Sequence, residues 1–224
     1  GDAATIIPWI MYLYYGDRSL LAEQYPSMKA WVEFIRGRSS RNLWNSGFHF
    51  GDWLGLDAPA GSYKGSTCED FIATAFYFHS TQLVRRSAEI LGHAGDAKEY
   101  TRLAEDIRKA FQKEFVTRTG RLAVPTQTAH VLALMFDLLD EDHIERTIQW
   151  LVDDIKKRNV HLSTGFVGTP YLLFVLSRYG HTDLAYDLLL QESYPSWLYP
   201  VTKGATTIWE HWDNIKPDGT FWSK

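Results

Sequence analysis

One short stretch, residues 204–213, carries the residue types with the clearest chemical meaning. It reads Gly-Ala-Thr-Thr-Ile-Trp-Glu-His-Trp-Asp and places the carboxylate of Glu210 between Trp209 and Trp212. Large apolar rings can desolvate a carboxylate and tune its basicity, and their flat faces suit stacking on a sugar. Enzymes that break acetals use positioned carboxyl groups of this kind. The alternative is a glutamate on an amphipathic helix whose tryptophans pack into the core.

Two further polar residues lie next to Glu210. Asp213 follows it by three residues, so the two acids share one face if this segment is helical. Asp213 is then either a second catalytic acid or a residue that caps a helix or forms an ion pair. His211 has no other histidine or acid at the spacing of a metal site, so we predict neither a metal nor a cofactor.

Other candidate residues have less specific patterns. Residues 164–168, Thr-Gly-Phe-Val-Gly, follow no strand and have the wrong glycine spacing for a dinucleotide-binding turn, so we expect them to allow close helix packing. Trp197 and Tyr199 either line a sugar subsite or pack in the core. Cys68 is the only cysteine, which excludes an internal disulfide and a multi-cysteine metal cluster, and we expect it to be buried.

The composition is that of a globular protein without a nucleic-acid or membrane partner. The chain has 224 residues, of which 45% are hydrophobic and 22% charged, enough for a sizeable core. Its net charge of -4 and the lack of a basic stripe argue against nucleic-acid binding. No apolar run reaches the roughly 18 residues that span a bilayer. Aromatic residues make up 15% of the chain, which suits carbohydrate recognition and a large core equally, and nothing indicates the compartment.

The elements that position these residues are predicted to be helices throughout. Apolar residues recur at helical spacing, and no segment shows the alternation of a strand. A capping-box-like sequence, Ser66-Thr67-Cys68-Glu69, is expected to start the longest helix. A loop over residues 39–65 holds Gly51-Asp52-Trp53-Leu54, and loops of this length are often functional. The predicted helices cover residues 3–15, 18–37, 66–91, 95–116, 127–139, 141–157, 163–180 and 181–191, with a short segment around Glu210.

Short turns between successive helices predict antiparallel hairpins that pack side by side. The sequence contains no strict repeat, so a ring of hairpins is favoured over a solenoid. We therefore predict an all-α fold, an α/α toroid of the (α/α)6 type. Eight or nine helices are fewer than six hairpins require, and the chain begins Gly1-Asp2-Ala3-Ala4 without a methionine. We expect residues 1–224 to be a single toroidal domain fragment, incomplete and truncated at both ends.

Three motifs in order along the chain resemble those of a known family. They are residues 163–170, Ser-Thr-Gly-Phe-Val-Gly-Thr-Pro; residues 194–199, Tyr-Pro-Ser-Trp-Leu-Tyr; and the stretch around Glu210. The chain resembles, over essentially its whole length, the bacterial α-L-rhamnosidases of glycoside hydrolase family 78. The resemblance implies an (α/α)6 catalytic domain that removes terminal α-L-rhamnose from glycosides or polysaccharides. It also implies inversion at the anomeric carbon without a metal.

The resemblance assigns roles to individual residues. Glu210 matches the glutamate of the family's Thr-Thr-x-Trp-Glu motif, the general base that activates the attacking water. Asp2 matches an aspartate that contacts the sugar, in the family motif Glu-Arg-Leu-Gly-Trp-x-Gly-Asp-Ala. Trp53, in Gly-Asp-Trp-Leu, matches a sugar-contacting aromatic position, and Asp52 beside it is a candidate partner for a sugar hydroxyl.

With the rings of Trp209 and Trp212, these residues form the predicted substrate-binding set. Two family residues have no counterpart here: the general acid, a glutamate seven residues before the position of Asp2, and a histidine of an Asn-His-Tyr motif expected after Lys224. We therefore expect this fragment to be inactive or weakly active. An exposed apolar seam at the truncated face would also favour self-association.

Two other functions remain open on the residues alone. One is a different toroidal carbohydrate enzyme, such as an unsaturated glucuronyl hydrolase or a glucoamylase-like protein. The other is a non-catalytic carbohydrate-binding or scaffold domain in which Glu210 takes no part in turnover.

Overall fold

The computed structural model describes residues 1–216 and 218–221, and within them the fold is entirely helical. Their regular elements are nine helices, with three isolated antiparallel bridges besides. The all-helical prediction is confirmed. The helices are α1 (Ala3–Tyr15), α2 (Arg18–Arg38), α3 (Glu69–Leu91), α4 (Ala94–Phe115), α5 (Gln127–Met135), α6 (Glu141–Lys157), α7 (Thr169–Arg178), α8 (Thr182–Leu189) and α9 (Leu198–Thr202).

The chain forms two compact units. Unit 1 consists of Gly1–His49 and Cys68–Thr117, and unit 2 consists of Phe50–Thr67 and Arg118–Lys224. The single domain over residues 1–224 stays a prediction. In the described part of the chain, no helix combines the length and apolar character that a membrane crossing requires.

Unit 1 contains α1 to α4, packed as successive neighbours. The buried residues of α2 recur every three or four positions, from Leu21 through Met28 to Ile35, so one stripe of the helix faces the core. Aromatic rings join α3 to α4, since the centroid of Phe71 lies 4.8 Å from that of Phe111 and 5.2 Å from that of Phe115. These contacts hold the second hairpin together.

Unit 2 contains α5 to α9 and the irregular loop 50–67. Helix α5 packs against α6 and α7, and α7 packs against α8. The core side of α6 is a narrow stripe that includes Ile148, Leu151 and Ile155, while its other faces are polar. Antiparallel neighbours joined by short turns thus recur in both units, as the sequence predicts.

Three predicted helix ends differ from those observed by more than two residues. Helix α5 stops at Met135, not 139, because Asp137 adopts a left-handed conformation with φ of 57°. The amide of Asp137 then donates to the carbonyl of Leu134 and that of Leu138 to the carbonyl of Ala133, which is the pattern of a Schellman motif. Phe136, Leu138 and Leu139 lie outside the helix although they are apolar.

The predicted starts of α3 and α7 also need correction. The capping box before α3 does not form: Cys68 is the N-cap and makes no side-chain capping bond, while the hydroxyl of Thr67 pairs with that of Thr126 at 2.6 Å. Cys68 is exposed rather than buried. Helix α7 begins at Thr169 and not at residue 163, because residues 163–168 form a loop whose amides donate to the carboxylate of Asp52.

Candidate active site

A cavity of about 520 Å³ in unit 2 brings together much of the predicted site. Three stretches of chain form its walls: residues 54–63, residues 164–170, and a third that comprises Tyr194, Trp197 and residues 208–213. Trp209, Glu210 and Trp212 all belong to the lining, as does Asp213. The volume and the mixture of aromatic rings with a few polar groups are typical of a small-molecule site.

The segment that carries Glu210 is irregular, and two aromatic residues anchor it. The ring of Trp212 lies edge-on to that of Trp197, with centroids 5.3 Å apart. The hydroxyl of Tyr199 donates to the carbonyl oxygen of Ile215 at 3.5 Å. Trp197 therefore lines the cavity, whereas Tyr199 is 7% exposed and supports the segment from behind.

Glu210 itself is exposed, so the adjacent rings do not bury it as the sequence pattern suggested. Because its segment is not helical, Glu210 and Asp213 do not share a helix face. Asp213 is close to Tyr194 on the cavity wall: burial, and then the charge of Asp213, raises the pKa of that tyrosine. Two carboxylates thus line one cavity together with several aromatic rings.

A row of aromatic rings leads from the loop 50–67 to the Glu210 segment. Trp53 contacts Phe50 and Tyr63, with centroids 5.9 and 5.3 Å away, and Tyr63 contacts His211 at 6.4 Å. The amide of Leu54 donates to the carbonyl of Tyr63 at 2.6 Å, which turns the loop back on itself. Tyr63 lines the cavity, and Trp53 lies behind it, outside the described lining.

Asp52 is buried, with 1% of its surface exposed. One carboxylate oxygen, Oδ2, accepts hydrogen bonds from the hydroxyl of Thr128 at 2.5 Å and the amide of Gly165 at 2.8 Å; the other, Oδ1, accepts from the amide of Val167 at 3.0 Å. Burial raises the pKa of Asp52, and these three hydrogen bonds oppose that rise. The predicted contact of Asp52 with a sugar hydroxyl stays a prediction, and its carboxylate is bound within the protein.

Gly165 and Gly168 allow close packing of the segment 164–168. The closest contacts are with the backbone of the loop 50–67, not between two helices as expected. A Cβ on Gly165 would lie 2.4 Å from the carbonyl oxygen of Trp53 and 2.6 Å from the amide nitrogen of Gly55. A Cβ on Gly168 would lie 2.6 Å from Oγ1 of Thr128 on α5. No side chain fits at residue 165 unless the backbone moves.

Asp2 lies in unit 1, at the start of α1. Its Oδ1 accepts hydrogen bonds from Nε1 of Trp31 at 3.1 Å and from the hydroxyl of Ser80 at 2.9 Å. Thr5 extends this polar cluster, since its hydroxyl lies 2.9 Å from that of Ser80. The carboxylate of Asp2 is thus held in a fixed orientation, and its contact with a sugar stays a prediction.

Two exposed aromatic residues of the cavity wall are not among the site residues that the sequence predicts. Tyr63 is 53% exposed and Phe166 is 50% exposed. Tyr63 lies in a glycine- and serine-rich loop that has no periodicity to mark it, and Phe166 was read as part of a glycine packing motif. In the described residues, no group of three or more His, Cys, Asp or Glu side chains is arranged to hold a metal ion.

The described fold is thus built of helical hairpins, and its cavity combines aromatic rings with the carboxylates of Glu210 and Asp213. The chain matches the bacterial alpha-L-rhamnosidase 6 hairpin glycosidase domain over residues 1–223 and belongs to that family. Its fold class is therefore the α/α toroid of six-hairpin type, as predicted.

Relatives and solved structures agree with this assignment. The chain is 44% identical over 221 residues to an alpha-L-rhamnosidase of Streptomyces avermitilis and 42% identical over 226 residues to one of Alteromonas sp.. These matches cover 99% of this chain but only 20% and 24% of the relatives, so the chain spans about a fifth to a quarter of their length.

Two crystal structures are similar over nearly the whole chain. That of the Streptomyces avermitilis enzyme in complex with L-rhamnose has a TM-score of 0.89 at 44% identity, covering 98% of this chain and 20% of that one. That of the Aspergillus terreus α-L-rhamnosidase has a TM-score of 0.95 at 37% identity, covering 99% and 26%.

Proposed function

We propose that the whole protein to which these residues belong hydrolyses terminal α-L-rhamnosides, and that the cavity of unit 2 forms part of its sugar site. The observation that carries the proposal is the position of Glu210, which lines an aromatic cavity of about 520 Å³ in a chain that belongs to this family. The similarity to an enzyme crystallised with L-rhamnose supports the same sugar for this chain.

Glu210 acts as the general base in this proposal. Its carboxylate accepts a proton from a water molecule while the oxygen of that water bonds to the anomeric carbon and the glycosidic bond breaks. Because the water enters opposite the leaving group, an α-rhamnoside yields β-rhamnose. The exposure of Glu210 suits this role, since the attacking water must reach its oxygens.

The proton for the leaving oxygen comes from a second carboxyl group. In inverting enzymes the two groups lie roughly 6.5–9.5 Å apart, so that the water fits beneath the sugar. The resemblance places that acid in a motif before the position matched by Asp2, and we therefore expect it in the whole protein outside these 224 residues.

The aromatic rings supply the binding surface. Trp209 and Trp212 flank Glu210 on the cavity wall, and Tyr63 and Phe166 offer further exposed faces. Sugar C–H groups pack well on such rings. Asp2 and Trp53 remain proposed contacts, on the strength of the resemblance.

Hydrolysis of a panel of aryl glycosides by the full-length protein tests the substrate class. We expect turnover of the aryl α-L-rhamnoside to exceed that of the matched α-glucoside and of an unsaturated glucuronide by orders of magnitude. A preference for either of the other sugars would assign the protein to a different toroidal activity. Sugar binding without turnover of any member would favour a binding domain.

We also propose that the 224-residue chain self-associates on its own. Helix α1 supports this, because Ile7, Leu13 and Tyr14 are 54%, 61% and 81% exposed. Light scattering coupled to size-exclusion chromatography should show a mass that rises with concentration, and Leu13→Glu should reduce that rise. A monomer at every concentration would contradict the proposal.

A further inference from the structure

Asp52 connects three separate stretches of backbone in unit 2. Its carboxylate accepts the amides of Gly165 and Val167 and the hydroxyl of Thr128. The main-chain carbonyl oxygen of Asp52 accepts hydrogen bonds from the amide nitrogens of Gly55, 3.0 Å away, and Gly65, 2.9 Å away. One buried residue therefore joins the loop 50–67 to the loop 163–168 and to helix α5.

The two loops also contact each other directly. The amide of Phe166 donates to the carbonyl of Trp53 at 2.9 Å, and the amide of Leu56 donates to the carbonyl of Ser163 at 3.0 Å. A Cβ at Gly165 would collide with the backbone of residues 53 and 55, so there is no room for a side chain between the two loops at this point. A small shift of either loop would break several of these contacts together.

Both loops are walls of the cavity that contains Glu210. The wall residues Leu54, Gly55 and Leu56 lie on one side of the Asp52 contacts, and Thr164, Gly165 and Phe166 lie on the other. Both loops are irregular at this point and form neither helix nor strand. The relative position of the two walls therefore depends on the hydrogen bonds that Asp52 accepts, together with the two direct backbone bonds between the loops.

The chemistry of this contact requires a carboxylate. A buried carboxylate persists only when donors surround it, and here three donors do. An asparagine in the same place has one acceptor oxygen, so its amide NH2 must face the N–H of either Gly165 or Val167. Two donors then oppose each other, and at least one backbone bond is lost.

The geometry points to Asp52 as a positioning residue that holds the loop 163–168 against the loop 50–67 and so sets the shape of the cavity. Its effect on sugar binding rests on the proposed function, whereas its effect on the loop does not. In the proposed function the sugar contacts both walls before and during the reaction. Loss of the hydrogen bonds to Asp52 therefore weakens sugar binding more than it slows the chemical step.

Three variants of the full-length protein test this role. Asp52→Asn removes the charge at constant shape. Thr128→Val removes one of the three donors and leaves both backbone amides in place. Thr147→Val is the matched control, because Thr147 is a buried threonine of unit 2 whose hydroxyl donates to His143 on α6, away from the cavity.

Hydrogen exchange and kinetics are the two readouts. In Asp52→Asn we expect exchange of the amides in residues 163–168 to accelerate more than about tenfold, while α6 stays protected. We expect KM for the aryl α-L-rhamnoside to rise about tenfold and kcat to fall less than about threefold. Thr128→Val should change both readouts less, and Thr147→Val should leave the loop and KM as in the wild type.

Two outcomes would overturn the inference. One is amide exchange in residues 163–168 that is as slow in Asp52→Asn as in the wild type. The other is an acceleration of that exchange in Thr147→Val as large as in Asp52→Asn. If Asp52→Asn does not fold, wild-type exchange and KM in Thr128→Val would overturn it. If the wild-type protein does not hydrolyse the rhamnoside, the proposed function fails, and the exchange comparison alone still decides the role of Asp52.

Discussion

Two acidic residues of unit 2 have opposite environments, since Glu210 is exposed on the cavity wall and Asp52 is buried among hydrogen-bond donors. Glu210, Trp209 and Trp212 were expected to act together, and all three line one cavity. The sequence did not predict that Glu210 is exposed while Asp52 is buried. The two tryptophans near Glu210 in the chain suggest a desolvated carboxylate, whereas nothing in the sequence around Asp52 indicates that it is buried.

The burial of Asp52 follows from contacts that are remote in sequence. The amide of Gly165 that binds its carboxylate is 113 residues away. Spacing rules work over a few turns of helix, so they cannot pair a loop aspartate with a loop that far along the chain. Only the packing of α5 and of the residue 163–168 loop creates that environment.

His79 in unit 1 predicts a pH dependence of stability. Burial, with a further contribution from the charge of Arg86, lowers its pKa to about 4 from the ordinary 6.5. Because the unfolded chain takes up the proton first, stability is complete above about pH 6.5 and falls as the pH drops towards 4. We expect the wild type to lose unfolding free energy over this range relative to His79→Gln, measured by urea unfolding at a series of pH values.

The difference between the two proteins isolates His79 from the carboxylates, which titrate in both. Curves that stay parallel from pH 7 to about pH 4 would contradict the predicted shift. If the wild type instead loses stability relative to His79→Gln as the pH rises, the folded protein prefers the charged imidazole.

At the scale of elements, the helices were predictable wherever a stripe of apolar residues faces the core. Helices α1, α2, α4 and α6 begin and end within a residue of the predicted bounds. Each has apolar residues recurring every three or four positions, or ends at a glycine turn. The spacing of apolar residues along one helix face depends only on nearby positions in the chain, so it can be read directly from the sequence.

Helix ends set by loop geometry were not predictable in this way. Helix α5 ends where Asp137 turns left-handed, although the next residues are apolar and buried. Helix α7 starts late because the amides of Gly165 and Val167 bind Asp52 and not a helical carbonyl. In both places a backbone hydrogen bond outside the helix competes with helix extension.

At the scale of the whole molecule, short turns and the lack of a strict repeat favour a ring of hairpins, and family membership supports the number of hairpins as six. Ring closure of six hairpins is a property of the family that the chain matches over residues 1–223. The chain spans about a fifth to a quarter of its curated relatives, so catalytic tests belong on the full-length protein. In the proposed mechanism, turnover requires the binding surface, the base and the acid together.

The most direct test of the account measures the rate and the anomeric form of the sugar released from an aryl α-L-rhamnoside by the full-length protein. Wild type, Glu210→Gln and Asp213→Asn are compared, with Glu192→Gln as an exposed control outside the cavity that makes the same chemical change. Proton NMR follows the anomeric signals.

We expect β-rhamnose to appear first and Glu210→Gln to lower kcat by about 10²–10⁴-fold, the range for loss of a general base. Glu192→Gln should match the wild type, and Asp213→Asn should lose far less than Glu210→Gln. Three results would contradict the role of Glu210 as the base of an inverting reaction. They are an unchanged kcat in Glu210→Gln, a large loss of kcat in Asp213→Asn alone, and release of the α anomer first.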